Sequence, residues 1–528
     1  MNQESAEVLG PPAGRIARSA GALVVISALT KPVNFLREAI VAALFGTSAA
    51  RDAFLVAWTI PNLASLLVTE GLSQVLIASV MGDLGKGRQQ EAWRTVSTLL
   101  NLLSLAMIAL SLVLIVAAPA LVTFLAPSFA GETRALAINL SRVMAFCVLF
   151  LGLANLFTGV LNAQQRFVWP ALAPIVLSGT AIAVMLLGWQ ALGIYSLALG
   201  MLVGTLGMVL WQVPAALRAG ASYTPCLDLH QEGVQQFTRL AGPLLLGTAI
   251  YSIPGIVDRM VASGLPVGSL SALDYAGRVM QLVFSLFVPA LLTPLFPTLS
   301  LFAAQGDQLR FRRGVMAGIQ AVEAIALPIA VGLIVLAEPI VRLVYQRGEF
   351  TAVSTTVTAG ALTFYAPGFA LAAWWVLFQA FYARQDTMSR VQMTSVMTLV
   401  NATLDVLLGW VMGAKGLALA SSLGVLAGLV YGLWLFRRKI GEALWQEPGL
   451  VNFLGKVALA AVLSGLVAWA IYWPLAGRWG MDGLVAQALA LAVAGGGAAA
   501  TYAALLWLFR VREVAHLLRQ VRVKTCQD

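Results

Sequence analysis

Charged and metal-binding residues are scarce in this chain of 528 residues. Only 11% of the residues are charged, and the sequence holds 2 histidines and 3 cysteines. Cys147, Cys226 and Cys526 are scattered without a CxxC motif, and His230 and His516 lie in polar stretches. Their spacing therefore predicts neither a disulfide framework nor a metal site.

Motifs for energy-driven or covalent chemistry are also missing. No segment matches the G-x-x-x-x-G-K-[ST] pattern of ATP-binding loops, and the acids are dispersed along the chain. A membrane enzyme needs a carboxylate cluster, a metal or a nucleophile with a nearby base. We therefore expect a protein that is not an enzyme and that needs no cofactor.

Apolar residues make up most of what is present. The sequence is 60% hydrophobic, with a mean hydropathy of +0.86, in long continuous runs. This composition is typical of an all-α polytopic membrane protein. Counting runs of about 20 residues predicts fourteen transmembrane spans. They lie at 19–45, 53–80, 95–118, 139–163, 171–191, 193–217, 238–262, 270–300, 316–337, 354–383, 390–412, 415–436, 453–473 and 484–509.

The net charge of +10 is distributed as membrane topology requires, rather than as a nucleic-acid-binding surface. With the N-terminus placed in the cytoplasm, 22 of the 33 basic residues fall on the inner side and 8 on the outer side. Positively charged residues collect on the cytoplasmic side of membrane proteins. We therefore predict a multi-pass protein with both termini in the cytoplasm, and no nucleic-acid partner.

One pattern occurs twice, about 220 residues apart. Arg37 stands 15 positions before Asp52, and Arg259 stands 15 positions before Asp274. Downstream, the segment 162–165 matches 382–385 at the same offset. Duplicated halves with charges inside the bilayer are typical of secondary transporters. The alternative is an old duplication retained for packing alone.

The spans and the repeat together predict the domain organisation. Six spans per repeat give both copies the same orientation in the membrane. The predicted parts are a cytoplasmic N-terminus (1–18), an N-lobe with spans 1–6 (19–217), a cytoplasmic linker (218–237), a C-lobe with spans 7–12 (238–436), spans 13–14 (437–509) and a basic cytoplasmic tail (510–528). The tail has an apolar helical face, which is typical of a helix on the inner leaflet, although a plain solvated tail is an equal alternative.

Three basic residues fall inside predicted spans: Lys31, Arg37 and Arg278. A charge at mid-bilayer costs about 3 kcal/mol, so it faces the interior of the bundle or a wet cavity. Glu38 lies about 100° around the helix from Arg37, so we expect poor pairing between these two residues. An anionic ligand with phosphate oxygens would suit the guanidinium. The alternative is pairing with acids on other spans, Glu70 or Asp405.

The residues in and around the predicted spans resemble the MurJ/MviN lipid II flippases, which belong to the multidrug/oligosaccharidyl-lipid/polysaccharide exporter superfamily. The resemblance covers essentially the whole chain. It is carried by Lys31 to Ala42, Phe45-Gly46, Asp52 to Phe54, Ile60 to Leu63, Glu70-Gly71, Leu161 to Ala163, Arg166-Phe167, Tyr275-Ala276 with Arg278, Leu295 to Ser300 and Phe381 to Asp386.

The resemblance implies fourteen helices in two lobes around a cationic cavity. The implied task is to move undecaprenyl-diphosphate-linked peptidoglycan precursor from the inner to the outer leaflet of the bacterial inner membrane. Membrane lipids and envelope-synthesis proteins are the further expected partners. The expected diphosphate-binding residues are Lys31, Arg37 and Arg278. The expected cavity and gating residues are Asn34, Glu38, Asp52, Pro61, Asn62, Glu70, Asp274 and Gln281, and the expected cytoplasmic-gate residues are Arg166, Arg384 and Asp386.

The chain departs from the family pattern in its charges. The family usually has Ser-Arg where this chain has Thr30-Lys31, one or two arginines where it has 64–67, and an acid at the position of Gln281. These changes leave other functions open. The alternatives are a flippase for another polyprenyl-linked oligosaccharide, a drug or cation antiporter, and a non-transporting scaffold.

Overall fold

The computed structural model describes residues 13–63, 89–218, 252–441, 448–479 and 483–511, together with positions 223, 224, 226, 228 and 235. Every regular element within these residues is an α-helix, which confirms the predicted all-α class. The chain divides into two compact units, Met1–Ile253 and Pro254–Asp528.

In the first unit, α6 packs along α7 and α1 packs against α6. Buried apolar side chains from α1, α2, α4, α5, α6 and α7 form its core. The helices are α1 (Ala13–Phe45), α2 (49–63), α3 (Gln89–Leu125), α4 (Gly131–Met144), α5 (Phe146–Ala163), α6 (Val168–Leu192) and α7 (Tyr195–Arg218).

In the second unit, α14 packs along α15 and α16 packs along α17. The helices are α8 (Ile253–Ala262), α9 (Ser269–Ala304), α10 (Gln308–Val335), α11 (Ala337–Tyr345), α12 (Ala352–Phe369), α13 (Ala373–Ala383), α14 (Thr387–Met412), α15 (Ala414–Ile440), α16 (Pro448–Trp479) and α17 (Leu484–Leu508).

Side chains that accept backbone hydrogen bonds set where several helices begin. The Asp307 side chain accepts a hydrogen bond from the amide of Arg310, so α10 starts at Gln308. The Asp386 side chain does the same for the amide of Ser389 at the start of α14. These bonds satisfy amides that have no partner within the helix.

Ten of these helices are long and apolar enough to cross a membrane, and α12 with α13 forms an eleventh candidate, bent by 44°. Each of the eleven overlaps a predicted span. Predicted span 19–45 lies within α1, whereas predicted spans 53–80 and 238–262 run into residues outside the described part. The structure therefore supports a multi-pass helical membrane protein.

The repeat seen in the sequence is also present in the backbone. Gln164 ends α5 with φ −88° and ψ 10°, and Arg384 ends α13 with φ −88° and ψ 5°. The next residues, Gln165 and Gln385, both take the left-handed conformation, with φ of 58° and 59°. Non-glycine residues adopt this conformation rarely. The same unusual helix ending therefore occurs twice, 220 residues apart.

Helix packing repeats at the same offset. A Cβ atom added to Gly204 on α7 would lie 2.8 Å from the carbonyl oxygen of Leu177 on α6. A Cβ added to Gly424 on α15 would lie 3.0 Å from the carbonyl oxygen of Met397 on α14. In each unit, therefore, a glycine allows two helix backbones to approach closely.

Candidate functional site

A buried ionic cluster joins α1 to α2 in the first unit. Arg37 and Arg51 contact opposite oxygens of Glu38: the distance from Arg37 Nη2 to Glu38 Oε1 is 2.7 Å, and from Arg51 Nη2 to Glu38 Oε2 it is 3.3 Å. Glu38 is 6% exposed and Arg51 is 2% exposed. The Arg51 guanidinium also lies 5.2 Å from the centre of the Phe54 ring. One carboxylate is thus shared by two guanidinium groups.

The contact between Arg37 and Glu38 corrects the expectation from helix geometry. Neighbouring side chains leave a helix about 100° apart, which predicted poor pairing. Their α-carbons are nevertheless only about 3.8 Å apart, and the long arginine side chain spans the remaining angle. The two charges pair directly.

Arg37 is also held by a second helix. Its Nη1 donates a hydrogen bond to Ser178 Oγ on α6 at 3.2 Å, and Ser178 Oγ donates to Asn34 Oδ1 on α1 at 2.6 Å. Ser178 is fully buried. These contacts fix the direction of the Arg37 guanidinium between α1 and α6.

The remaining predicted residues of the first unit lie along the same two helices. Lys31 is half-buried on α1, and Asp52 is buried on α2 with 4% exposure. Pro61 is buried and Asn62 is exposed near the last described residue of α2. Glu70 lies outside the described residues.

Sequence reasoning did not select Arg51 as a site residue. It treated Arg51 as one of the basic residues at outer helix ends. The turn after α1, where Gly46 takes a φ of 52°, brings α2 back along α1. The guanidinium of Arg51 is thereby buried against Glu38. A basic residue directly after a glycine turn and beside a buried acid was the available signal.

In the second unit, Arg278 pairs with Asp274 along α9. The distance from Arg278 Nε to Asp274 Oδ2 is 3.6 Å, as the i,i+4 spacing predicted. Both side chains are partly exposed, at 32% and 19%. Gln281 lies exposed on the next turn of the helix.

A second polar cluster in this unit brings two acids together. The carboxyl groups of Asp258 on α8 and Asp405 on α14 lie within hydrogen-bonding distance of each other. Asn401 Nδ2 donates to Asp405 Oδ1 at 3.2 Å, and Asp405 has no exposed surface. Asp405 was considered as a partner for the α1 cations, but these contacts are with residues of its own unit.

The three cytoplasmic-gate candidates lie at the repeated helix ending. Arg166 and Arg384 are exposed in the turns after α5 and α13. The Asp386 carboxylate contacts Lys439 Nζ at 2.5 Å. Burial alone would raise the pKa of Asp386, but hydrogen bonds from Lys439 and Ser389 outweigh it and lower that pKa below its usual value.

A buried acid in α10 stabilises the bend between α12 and α13. Glu323 Oε1 accepts a hydrogen bond from the amide of Ala373, the first residue of α13, at 2.6 Å. Glu323 is 4% exposed. It therefore supplies the acceptor that the first amide of α13 lacks within its own helix.

The fold and these clusters define a multi-pass membrane protein built from two repeated helical units with ionised side chains inside the spans. The family model described as "Lipid II flippase MurJ" matches residues 41–488. The chain belongs to the MurJ family.

Curated relatives match along most of their length. The lipid II flippase MurJ of Burkholderia cenocepacia is 28% identical over 463 residues, covering 85% of this chain and 89% of the relative. The probable lipid II flippase MurJ of Vibrio cholerae is 27% identical over 512 residues, covering 93% and 96%.

Solved structures share the fold. One is a lipid II flippase MurJ in an inward closed conformation, with a TM-score of 0.77 at 22% identity, covering 93% of this chain and 99% of that one. Another is an inward-facing multidrug resistance MATE family transporter of the MOP superfamily. Its TM-score is 0.68 at 15% identity, with coverage of 81% and 100%.

Proposed function

We propose that this protein is a lipid II flippase of the bacterial inner membrane. It moves the undecaprenyl-diphosphate-linked peptidoglycan precursor from the inner to the outer leaflet without making or breaking covalent bonds. The family match over residues 41–488 and the near full-length curated relatives support this proposal.

The observation that carries the mechanism is the sharing of Glu38 by Arg37 and Arg51. Two guanidinium groups and one carboxylate leave this trio with one net positive charge. Guanidinium groups bind phosphate oxygens through two parallel hydrogen bonds. We assign the phosphate contact to Arg37, which is the more exposed of the two arginines at 12%. Arg51 keeps Glu38 from neutralising Arg37 completely.

Two further cations complete the proposed substrate site. Lys31 lies on the same helix as Arg37, and Arg278 belongs to the second unit. We propose that the diphosphate meets these cations as the units alternate their access to the two leaflets. Asn34, Asp52, Asp274 and Gln281 supply the polar surroundings, and Arg166, Arg384 and Asp386 belong to the cytoplasmic gate.

Complementation of a strain depleted of its own lipid II flippase tests the proposal. Arg37→Ala should abolish growth, and Arg37→Lys should be only partly active because an ammonium group lacks the guanidinium fork. Arg313→Ala removes an exposed arginine of the second unit and should grow normally. All variants must reach wild-type levels in the membrane. Normal growth of Arg37→Ala would contradict the site assignment.

Another polyprenyl-linked oligosaccharide is the second candidate substrate. It is favoured by the lack of arginine at 64–67 and by Gln281, since the stem peptide of lipid II carries carboxylates that an additional cation would bind. Failure of the wild-type chain to complement, despite normal expression, would favour this substrate over lipid II.

The proposed orientation has both termini and the 218–237 linker in the cytoplasm. In a variant whose only cysteine replaces Glu232, an impermeant thiol reagent should label open vesicles and leave intact cells unlabelled. Labelling of intact cells would reverse the topology.

A further inference from the structure

A cavity of about 860 Å³ opens between two helix corners of the second unit. One corner is the turn from α9 to α10 at 305–307, and the other is the turn from α13 to α14 at 384–386. Both corners lie at span ends that the charge distribution places on the cytoplasmic side. A cavity at this level faces the headgroup region of the inner leaflet.

One side of the cavity is aromatic. Phe296 and Phe302 line it from α9, Phe311 from α10 and Tyr382 from the end of α13. The rings of Phe296 and Tyr382 are stacked with their centres 5.4 Å apart. Aromatic side chains are typical of the level at which lipid headgroups meet acyl chains. The surface therefore fits an amphiphilic ligand better than a free ion.

The polar side of the cavity carries the guanidinium of Arg384. This group lies 5.7 Å from the centre of the Phe311 ring, and the side chain is exposed. Within the part of the chain that the structure describes, it has neither a carboxylate partner nor a side-chain hydrogen bond. A guanidinium group has five N–H donors in a planar fork that suits phosphate.

The acids at the two corners are already engaged. The Asp307 carboxylate accepts from the amide of Arg310 at 2.9 Å and pairs with the Arg310 side chain at 3.2 Å. Asp386 caps α14 and pairs with Lys439. Both carboxylates are therefore used locally, and Arg384 is the group at the cavity that can bind an external anion.

We propose that this cavity binds the phosphate headgroup of an inner-leaflet lipid, with Arg384 as the phosphate ligand and the Phe296–Tyr382 side as the surface for the adjoining acyl or prenyl chain. The site goes beyond the proposed transport function, since it lies within one unit and requires no translocation. The same phosphate chemistry occurs in an anionic phospholipid and in a polyprenyl diphosphate.

The first unit provides a matched substitution. Gln164 occupies the repeat position of Arg384, and the two residues have nearly identical backbone angles. Each is followed by a glutamine in the left-handed conformation. Arg384→Gln therefore places in the second corner the residue that the same turn already accommodates in the first. Arg310→Gln is the control, because it removes an exposed cation that is paired with Asp307 and does not line the cavity.

The experiment measures lipid binding to the purified full chain by native mass spectrometry. The probes are phosphatidylglycerol and undecaprenyl diphosphate, with phosphatidylcholine as the zwitterionic reference and inorganic phosphate as competitor. Arg384→Gln should weaken binding of at least one anionic probe by about tenfold, the usual effect of losing a charge-assisted hydrogen bond. Arg310→Gln should bind as the wild type does.

The two anionic probes identify the source. Stronger selection of phosphatidylglycerol over phosphatidylcholine by the wild type than by Arg384→Gln assigns the site to a membrane phospholipid. The same difference with undecaprenyl diphosphate alone assigns it to the prenyl lipid. Phe296→Ala should weaken lipid binding in either case. Equal binding of both anionic probes by Arg384→Gln and the wild type would overturn the proposal, and so would full competition by inorganic phosphate at the lipid's own concentration. Failure of complementation tests transport and leaves this binding result unaffected.

Discussion

The two units share a backbone design but differ in how they arrange buried charge. In the first unit two arginines share the carboxylate of Glu38. In the second unit two acids, Asp258 and Asp405, lie against each other, and Arg278 has its own partner in Asp274. The first cluster has an excess of cations, and the second has carboxylates in contact. Duplication has preserved turns and helix contacts while the ionisable residues diverged.

This difference assigns separate tasks to the two units. An excess of buried positive charge is costly unless an anion approaches it. The first unit therefore suits the phosphate of the proposed substrate. Two carboxyl groups in contact repel each other unless a proton or cation lies between them. We therefore expect neutralisation of an acid to have opposite effects on the stability of the two units.

The largest effect is expected from Glu38→Ala, which removes the carboxylate shared by two buried guanidinium groups. Breaking a buried ion pair costs about 3–5 kcal/mol, because an uncompensated charge remains inside the protein. The free energy of unfolding should fall by this amount, and the double variant Glu38→Ala, Arg51→Gln should recover part of it. Thermal unfolding of the detergent-purified protein measures both.

Glu349→Ala is the control for this experiment, since Glu349 is exposed in the loop before α12. It should change the free energy of unfolding by less than about 0.5 kcal/mol. If Glu38→Ala behaves like this control, the shared carboxylate is not a stabilising element.

An intermediate effect of opposite sign is expected from Asp405→Asn. The amide keeps an acceptor for Asn401 and gains a donor for Asp258, whose Oδ1 is buried without a hydrogen-bond partner. A new hydrogen bond to a charged group should raise the free energy of unfolding by about 1 kcal/mol. The same thermal unfolding assay applies. A loss of stability comparable to that of Glu38→Ala would remove the proposed contrast between the units.

The smallest effect is expected at the repeated turn, where the second unit has Asp386 and the first has Arg166. The lowered pKa of Asp386 means that its carboxylate stabilises the fold above the usual aspartate pKa of about 3.9, and that this contribution is lost as the pH falls through the folded-state value. Asparagine caps helices as well as aspartate does, so Asp386→Asn removes the charge alone. At pH 7 the variant should be less stable by about 0.5 kcal/mol, because solvent screens this pair.

Unfolding measured between pH 7 and pH 3 checks the sign of this effect. The difference between wild type and Asp386→Asn should narrow below about pH 4, where aspartate becomes protonated. A difference that is constant over the whole range would mean that the charge of Asp386 does not contribute.

The fold class was predictable because apolar periodicity is a local property of the chain. Eleven of the predicted spans overlap span-forming helices, and the repeated segments 162–165 and 382–385 end their helices with matching backbone angles. The pairing of Asp274 with Arg278 followed from helical spacing for the same reason.

The ionic cluster could be predicted only in part, because its partners are distant in the sequence. Arg37 was identified from its position inside a span, whereas its contact with Ser178 joins residues 141 positions apart. The Asp258–Asp405 contact depends on how α8 packs against α14, which no local pattern encodes. Arg51 was missed because charge counting treats a residue beside a turn as a surface residue.

The close glycine contacts have a mechanical consequence. With Gly204 against the carbonyl of Leu177 and Gly424 against that of Met397, little free space remains between the backbones of α6 and α7 or of α14 and α15. Sliding or rotating one helix of either pair past the other would bring side chains into backbone atoms. We therefore expect each pair to move as one rigid lever, and the bending needed for transport to occur where proline interrupts the helical hydrogen bonds, as at Pro289, Pro294 and Pro297 in α9.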